Sequence, residues 1–212
     1  MSRLLVIRTA IKLALSLAAV TGYGAPATLL DRPIKSFGAQ DAWVVHLISR
    51  LAVLSDVPFG IEVTRGHLEK KFTINIDSGT VRDALTALVA LDPSYQWKEL
   101  DGCVDVYPKV EPDSPFDVVI KEFTASDITG YGIVTKLLKV PEVSSYFSAR
   151  NLTGFAAFAG SVGSLAPRIF VSVHDQTLRS VLNNIVIAAK GKVWVGTYQD
   201  KNGEHFLRIQ IS

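Results

Sequence analysis

The sequence predicts an α+β protein of two small domains, each with the order β-α-β-β-α-β-β and two helices on one side of a small mixed sheet. Three observations support this class: segments of alternating apolar residues, helical segments with one apolar stripe, and recurrence of both after an offset of 97 residues. The chain has 212 residues, of which 48% are hydrophobic and 20% charged. That balance is typical of a globular core and argues against a disordered chain.

Residues 1–27 have the three parts of a secretory signal peptide. A start with three basic side chains precedes an apolar run at 13–20, and Ala25 and Ala27 supply the small residues of a cleavage site. An uncleaved membrane anchor is the alternative, but a membrane span needs about 20 apolar residues, and the run at 13–20 is much shorter. We therefore expect cleavage after Ala27, export to the periplasm or the medium, and no stable membrane insertion of the mature protein.

The first domain is expected at residues 28–107. Thr80 is a good N-cap, because its hydroxyl can accept a hydrogen bond from a free amide at a helix start. The helix after it has apolar residues at i, i+3, i+4 and i+7, which predicts one buried face. The predicted elements are strand 34–37, helix 41–55, strands 59–63 and 72–76, a helix from residue 81, and a hairpin of 95–99 with 103–107.

A linker with three prolines, residues 108–115, separates this domain from the second, residues 116–212. Thr177 repeats the cap at Thr80, and the tryptophans of the closing hairpins, Trp97 and Trp194, also align. The alternative to a diverged repeat is that the two halves have similar βαβ-type folds of independent origin. The elements expected in the second half are strand 116–123, helix 126–139, a looser segment at 151–164, a strand from 169, a helix from 178, and a hairpin of 193–197 with 205–211.

Residues 39–107 resemble the short N-terminal domain of secretins and of TonB-dependent transducers, the STN domain. The resemblance depends on a helix with Leu47 and Leu51, a strand with Ile74, the Thr80 cap, and the hairpin containing Trp97. It implies a non-enzymatic periplasmic docking module, which in secretins contacts inner-membrane components and in transducers signals to an inner-membrane regulator. The sequence after residue 107 resembles neither a secretin gate nor an outer-membrane barrel, so the resemblance identifies no specific partner.

The sequence shows no catalytic or cofactor-binding pattern, so we expect no enzyme, no cofactor and no metal. The four histidines lack zinc-ligand spacing, and the chain has neither a G-x-S-x-G elbow nor a P-loop. The net charge of +2 comes from residues 1–27, since the rest carries 19 basic and 20 acidic side chains, and nucleic-acid binding is not expected. Cys103, the single cysteine, is expected to be a buried thiol, with an intermolecular disulfide as the alternative.

The expected function is docking of a cell-envelope protein through a sheet edge, where unpaired backbone groups accept an added strand. We expect the final strand of each half to be that edge; self-association is compatible with this. The apolar segment 154–164 is expected to be a strand whose glycines permit a bulge or close packing, with a mobile loop that contacts a partner as the alternative. The alternative is a small-ligand module with a cleft between the halves, near Trp97, Trp194 and Phe155. The candidate interaction residues are Cys103, Val104, Val106, Tyr107, Phe155, Phe158, Phe206 and Ile209.

Overall fold

The computed structural model describes residues 28–63, 69–109, 114–158, 168–201 and 204–212. The predicted signal peptide, residues 110–113 of the predicted linker, and residues 159–164 of the apolar segment lie outside the described residues. Among the described helices, none is both long and apolar enough to cross a membrane.

The two halves share one element order, each after a short 3-10 helix at Leu29–Asp31 or Pro115–Asp117, except that the second half has two helices after its first strand. The α+β class is thereby confirmed. The first half contains β1 (Pro33–Trp43), α1 (Val44–Ser55), β2 (Phe59–Val63), β3 (Lys71–Thr80), α2 (Val81–Leu91), β4 (Tyr95–Leu100) and β5 (Cys103–Pro108). The second contains β6 (Val119–Ile128), α3 (Gly130–Leu137), α4 (Pro141–Ala149), β7 (Leu152–Phe158), β8 (Ile169–Thr177), α5 (Leu178–Ala188), β9 (Val193–Lys201) and β10 (Glu204–Ile211).

Each half has a two-stranded antiparallel ribbon, β1 with β3 and β6 with β8. Both ribbons have an irregular register near a left-handed aspartate, Asp41 with φ 52° and Asp127 with φ 53°. A β-bulge of this kind bends a strand and increases its twist. The two ribbons are therefore bent at matching places, beside the helices that pack on them.

The predicted threonine caps are both confirmed. The Thr80 hydroxyl accepts a hydrogen bond from the Asp83 amide at 3.3 Å, and the Asp83 carboxylate accepts one from the Thr80 amide, which completes a capping box. The Thr177 hydroxyl accepts a hydrogen bond from the Ser180 amide at 3.2 Å. Each cap satisfies an amide that has no partner within the first turn of its helix.

The remaining strands form one six-stranded sheet in the order β4-β5-β2-β9-β10-β7. The expectation of a separate small sheet in each half is therefore wrong, because β2 of the first half pairs in parallel with β9 of the second. Either strand alone would expose a row of unpaired backbone groups, and their pairing satisfies both. We call this β2–β9 pairing the junction.

The two faces of the shared sheet are covered by different halves. Phe59 and Val193 belong to the core of the first half, whereas Trp194 and Ile209 belong to the core of the second. Successive residues of a strand point to opposite faces, so Val193 points into the core of the first half and Trp194 into the core of the second. The helices of the two halves therefore lie on opposite sides of one sheet.

The structure differs from the predicted elements at several of their bounds; the predicted strand 116–123, for example, is β6 at Val119–Ile128. The predicted helix 126–139 is the shorter α3, because β6 continues through Ile128, and a helix that was not predicted, α4, begins at Pro141, a residue favoured in the first turn of a helix. Helix α1 begins at Val44 rather than at residue 41, since β1 continues through Trp43. Within the segment 151–164, the expected strand is confirmed for the described residues, since Leu152–Phe158 form strand β7.

Candidate functional site

The junction is a five-residue parallel pairing in which Phe59 faces Val193 and Val63 faces Thr197. Gly60 lies opposite Trp194, and a Cβ atom at Gly60 would lie 2.4 Å from the indole and 2.3 Å from an Asp105 carboxylate oxygen. A Cβ atom at Gly196 would lie 2.0 Å from the Phe116 ring. Glycine is required at both positions because aromatic rings of the second half occupy the space of a side chain.

A buried charged cluster lies beside the junction. Arg179 of α5 donates from Nε to Glu62 Oε1 of β2 at 2.7 Å, and from Nη1 to Asp117 Oδ1 at 2.7 Å. The Ser114 hydroxyl donates to Glu62 Oε2 at 3.2 Å. Glu62 and Arg179 are 3% and 5% exposed, and the contacts of the guanidinium group with two carboxylates compensate for the loss of water around these charges.

The position of Glu62 changes its titration. Burial raises the pKa of Glu62 to about 7, against the opposing effect of the Arg179 charge. The pKa of Arg179 is raised, because its acidic partners outweigh the effect of its burial. The arginine therefore stays charged, and the carboxyl group can take up a proton near neutral pH.

A second buried polar group lies on the same face of the sheet. Asn183 donates from Nδ2 to Asp105 Oδ2 at 3.0 Å and accepts a hydrogen bond from Trp194 Nε1 at 2.6 Å. Burial raises the pKa of Asp105 to about 6, while the hydrogen bond from Asn183 lowers it. The chain Asp105–Asn183–Trp194 connects strand β5 of the first half to helix α5 and strand β9 of the second.

The buried charged cluster and the chain Asp105–Asn183–Trp194 connect strands and helices of the two halves and do not face solvent. Glu62, Asp105 and Asn183 are each no more than 3% exposed. The described residues contain no group of three or more histidine, cysteine, aspartate or glutamate side chains that could hold a metal ion. The chemistry that this arrangement supports is recognition between strands and helices, with two titratable carboxyl groups inside the contact.

The outer strands of the shared sheet are β4 at one end and β7 at the other. Within the described ranges, no strand pairs with the outer side of either one. The expectation that the final strands are edges is therefore wrong. Strand β5 lies between β4 and β2, and β10 lies between β9 and β7, because each hairpin strand also pairs in parallel with the strand after the first helical segment.

The predicted interaction residues divide accordingly. Cys103, Val104, Val106 and Ile209 are buried at 1% exposure or less and do not reach a partner. Tyr107 is half-buried, and its ring lies 4.7 Å from the Arg179 guanidinium and 5.2 Å from Lys98 Nζ. The backbone of Phe155 and Phe158 lies in β7, on an outer edge, and that of Phe206 in the interior strand β10; their side chains lie outside the described part.

The ligand cleft expected near both tryptophans is not found at that place among the described residues. Trp194 is fully buried against Gly60 and Phe116, and Trp97 lies on the outer strand β4. A different groove of about 410 Å³ lies between the first turn of α1 and strands β9 and β10. Its lining includes Trp43, His46, Glu69, Arg208 and Gln210.

Sequence reasoning missed Glu62, Asp105, Arg179 and Asn183. The alternation in β2 places Glu62 on the other face of the strand from Phe59 and Ile61, which is the pattern of a solvent-facing residue. Arg179 likewise falls beside the apolar stripe of its helix. The available signal was the matching of Arg82 with Arg179, each preceded by an aspartate in a short 3-10 helix, Asp31 and Asp117.

No protein-family model matches the chain, and neither a curated protein nor a solved structure matches it.

Proposed function

We propose that this protein is an exported, non-enzymatic interaction module that docks a cell-envelope protein by strand addition to an outer edge of its shared sheet. The outer strands are β4 and β7, in place of the final strands expected from the sequence. Export rests on the signal-peptide pattern of residues 1–27. The docking class agrees with the STN-like residues of the first half.

The observation that carries the proposal is the junction itself. Strands β2 and β9 come from different halves of the chain and join through their edges in a five-residue parallel pairing. Backbone hydrogen bonds of this kind supply affinity, while the side chains on alternate positions supply specificity. An edge of this protein is thus a surface that accepts a strand from outside its own half.

The test is site-specific photo-crosslinking in cells that export the protein. A photoreactive phenylalanine analogue replaces Gln96 on the outer strand β4, or Val53 on α1 as a control that is 67% exposed. We expect an adduct with a cell-envelope protein from position 96 and none from position 53. Equal adducts from both positions, or none from position 96, would contradict edge docking.

The groove beside α1 favours a second candidate, binding of a small molecule. It combines the apolar surface of Trp43 with the polar side chains of His46, Arg208 and Gln210, a mixture common in ligand sites. Trp43 is 46% exposed, so a ligand there should change its fluorescence. A metabolite panel that leaves the emission of the protein unchanged, or changes the Trp43→Phe variant equally, rules this candidate out.

A further inference from the structure

The outer strands of the shared sheet, β4 and β7, each have a free edge within the described part of the chain, and they are the structural counterparts of the two strands that pair at the junction. Strand β4 corresponds to β9, since each begins a hairpin and contains the aligned tryptophan, Trp97 or Trp194. Strand β7 corresponds to β2, since each pairs in parallel with the second strand of its hairpin. Among the described residues, the edge that β2 uses at the junction is therefore unpaired on β7, and the edge that β9 uses is unpaired on β4.

The junction is a head-to-tail contact. Strand β2 pairs with β9, which is the counterpart of β4 and not of β2 itself. Strand β2 runs parallel to β9 and antiparallel to β4, so β4 and its counterpart β9 run in opposite directions. The two halves are therefore related by a 180° rotation about an axis in the sheet, perpendicular to the strands, together with a translation along that axis. A contact of this heterologous kind leaves the same pair of edges open at its two ends.

We propose that a second copy of this chain continues the sheet, with β7 of one molecule pairing in parallel with β4 of the next. The proposal rests on the proposed function and names the partner of the same edges. We assign a second copy as the partner because the β7–β4 pairing between molecules repeats the parallel β2–β9 pairing within one molecule. Its product is an open-ended assembly rather than a closed dimer, since head-to-tail contacts leave an edge free at each end unless they form a ring.

The junction also fixes the register. In the first half, Ile61, Val106 and Trp97 lie in one row across the sheet, and in the second half Phe158, Ile211 and Trp194 do the same. At the junction, Ile61 faces the residue after Trp194. The equivalent pairing between molecules places Phe158 opposite Lys98, Ala157 opposite Trp97, and Ala156 opposite Gln96.

The residues on the two free edges suit this register. The junction has a glycine, Gly60, opposite the fully buried Trp194, whereas the new pairing places the larger Ala157 opposite Trp97, a half-buried ring on an outer strand. The pairings of β4 with β5 and of β7 with β10 have no shift of register, and neither β4 nor β7 contains a proline. Bulges, prolines and charged side chains are devices that block strand addition at an edge; both edges lack the first two, β7 also lacks charges, and β4 has Lys98 and Glu99.

The test is disulfide formation between engineered cysteines in the purified protein. Ala156→Cys and Gln96→Cys are combined with Cys103→Ser, which removes the native thiol. Facing residues of adjacent strands lie about 5 Å apart, within the range for a disulfide. A bond within one molecule is excluded, because β4 and β7 are separated by four strands and therefore lie about 24 Å apart.

We expect oxidation to give a ladder of dimers, trimers and longer species on a non-reducing gel. The matched control combines Ala156→Cys with Lys98→Cys, which lies two residues out of register on the same face of β4. It should give at least fivefold less product. No ladder from the in-register pair, or equal ladders from both pairs, overturns the proposal.

Light scattering on the unmodified protein is the second measurement. We expect a mass that rises with concentration, and a loss of that rise in Ala157→Lys but not in Val53→Lys, which adds the same charge to an exposed position of α1. A protein that stays monomeric and forms no ladder overturns self-association. If self-association fails, an adduct of position 96 with a different envelope protein still supports edge docking, and the absence of any adduct at that position contradicts it.

Discussion

Arg179 donates a hydrogen bond from Nε to Glu62 Oε1 at 2.7 Å, and this contact joins helix α5 of the second half to strand β2 of the first. Its counterpart in the first half, Arg82, lies 44% exposed and pairs with Asp31 at 3.0 Å. The same helix position thus has a surface ion pair in one half and a buried charged cluster in the other. The difference arises because the junction covers Arg179, while nothing in the described part of the chain covers Arg82 in the same way.

Replacing Arg179 by alanine should lower the free energy of unfolding by about 3–5 kcal/mol, because it leaves the Glu62 carboxyl group buried without its charged partner. Arg82→Ala is the matched control and should cost at most about 1 kcal/mol, since solvent screens an exposed pair. Urea unfolding followed by tryptophan fluorescence measures both values. Similar losses in the two variants would contradict the assigned role of the buried cluster.

The pH dependence of stability should reveal Glu62. Its pKa is about 7 in the folded protein and 4.5 as the ordinary value, so the folded state binds this proton more tightly between those limits. Stability from this group is therefore highest at low pH and falls as the pH rises from about 4.5 to about 7. Unfolding at pH 5, 6 and 7 should show that Glu62→Gln removes this part of the slope, with a difference of a few kcal/mol at most.

Asp105 contributes a slope of the same sign, because burial raises its pKa as well. It is present in both the native protein and the Glu62→Gln variant, so its effect cancels in the comparison between them. The same slope in both proteins would show that the titration belongs to another group.

Much of the fold follows from local patterns in the sequence. Thr80 and Thr177 mark helix starts because a hydroxyl next to free amides is favourable in any context, and Asp101-Gly102 marks a turn for similarly local reasons. The start of α4 at Pro141 has an equally local cause, since proline is favoured in the first turn of a helix, but it was not predicted. These features needed only the chemistry of a few neighbouring residues.

The junction could not be predicted in this way. The periodicity of β2 indicates that Phe59 and Ile61 share a face, but it does not say which strand lies beside β2. Glu62 alternates with apolar residues like a solvent-facing side chain and is buried only because α5 of the other half covers it. Contacts between distant parts of the chain determined which edges remain open, and so the predicted edges were wrong.

Gly60→Ala should destabilise the protein by about 1–3 kcal/mol through overpacking. The added Cβ would lie 2.4 Å from the Trp194 ring, which is buried and has no room to move. Gly38→Ala is the control: its Cβ would meet the exposed Asn75 side chain, which can rotate away, and the change should stay within about 0.5 kcal/mol. Urea unfolding measures both, and a shifted emission of Trp194 in the Gly60 variant would locate the strain at the junction.

The Cys103 thiol should be unreactive in the folded protein. It is free, fully buried in strand β5, and burial raises its pKa well above the usual range. Since the thiolate is the reactive form, labelling requires exposure of the side chain to solvent. Ellman's reagent at pH 8 should therefore label less than a tenth of the native protein within minutes and all of it in 6 M guanidinium chloride, at about the rate expected for a free cysteine. Rapid labelling of the native protein, or a disulfide-linked dimer of the unmodified chain, would show that this thiol is exposed. The alternative interpretation of Cys103, an intermolecular disulfide, would then be favoured.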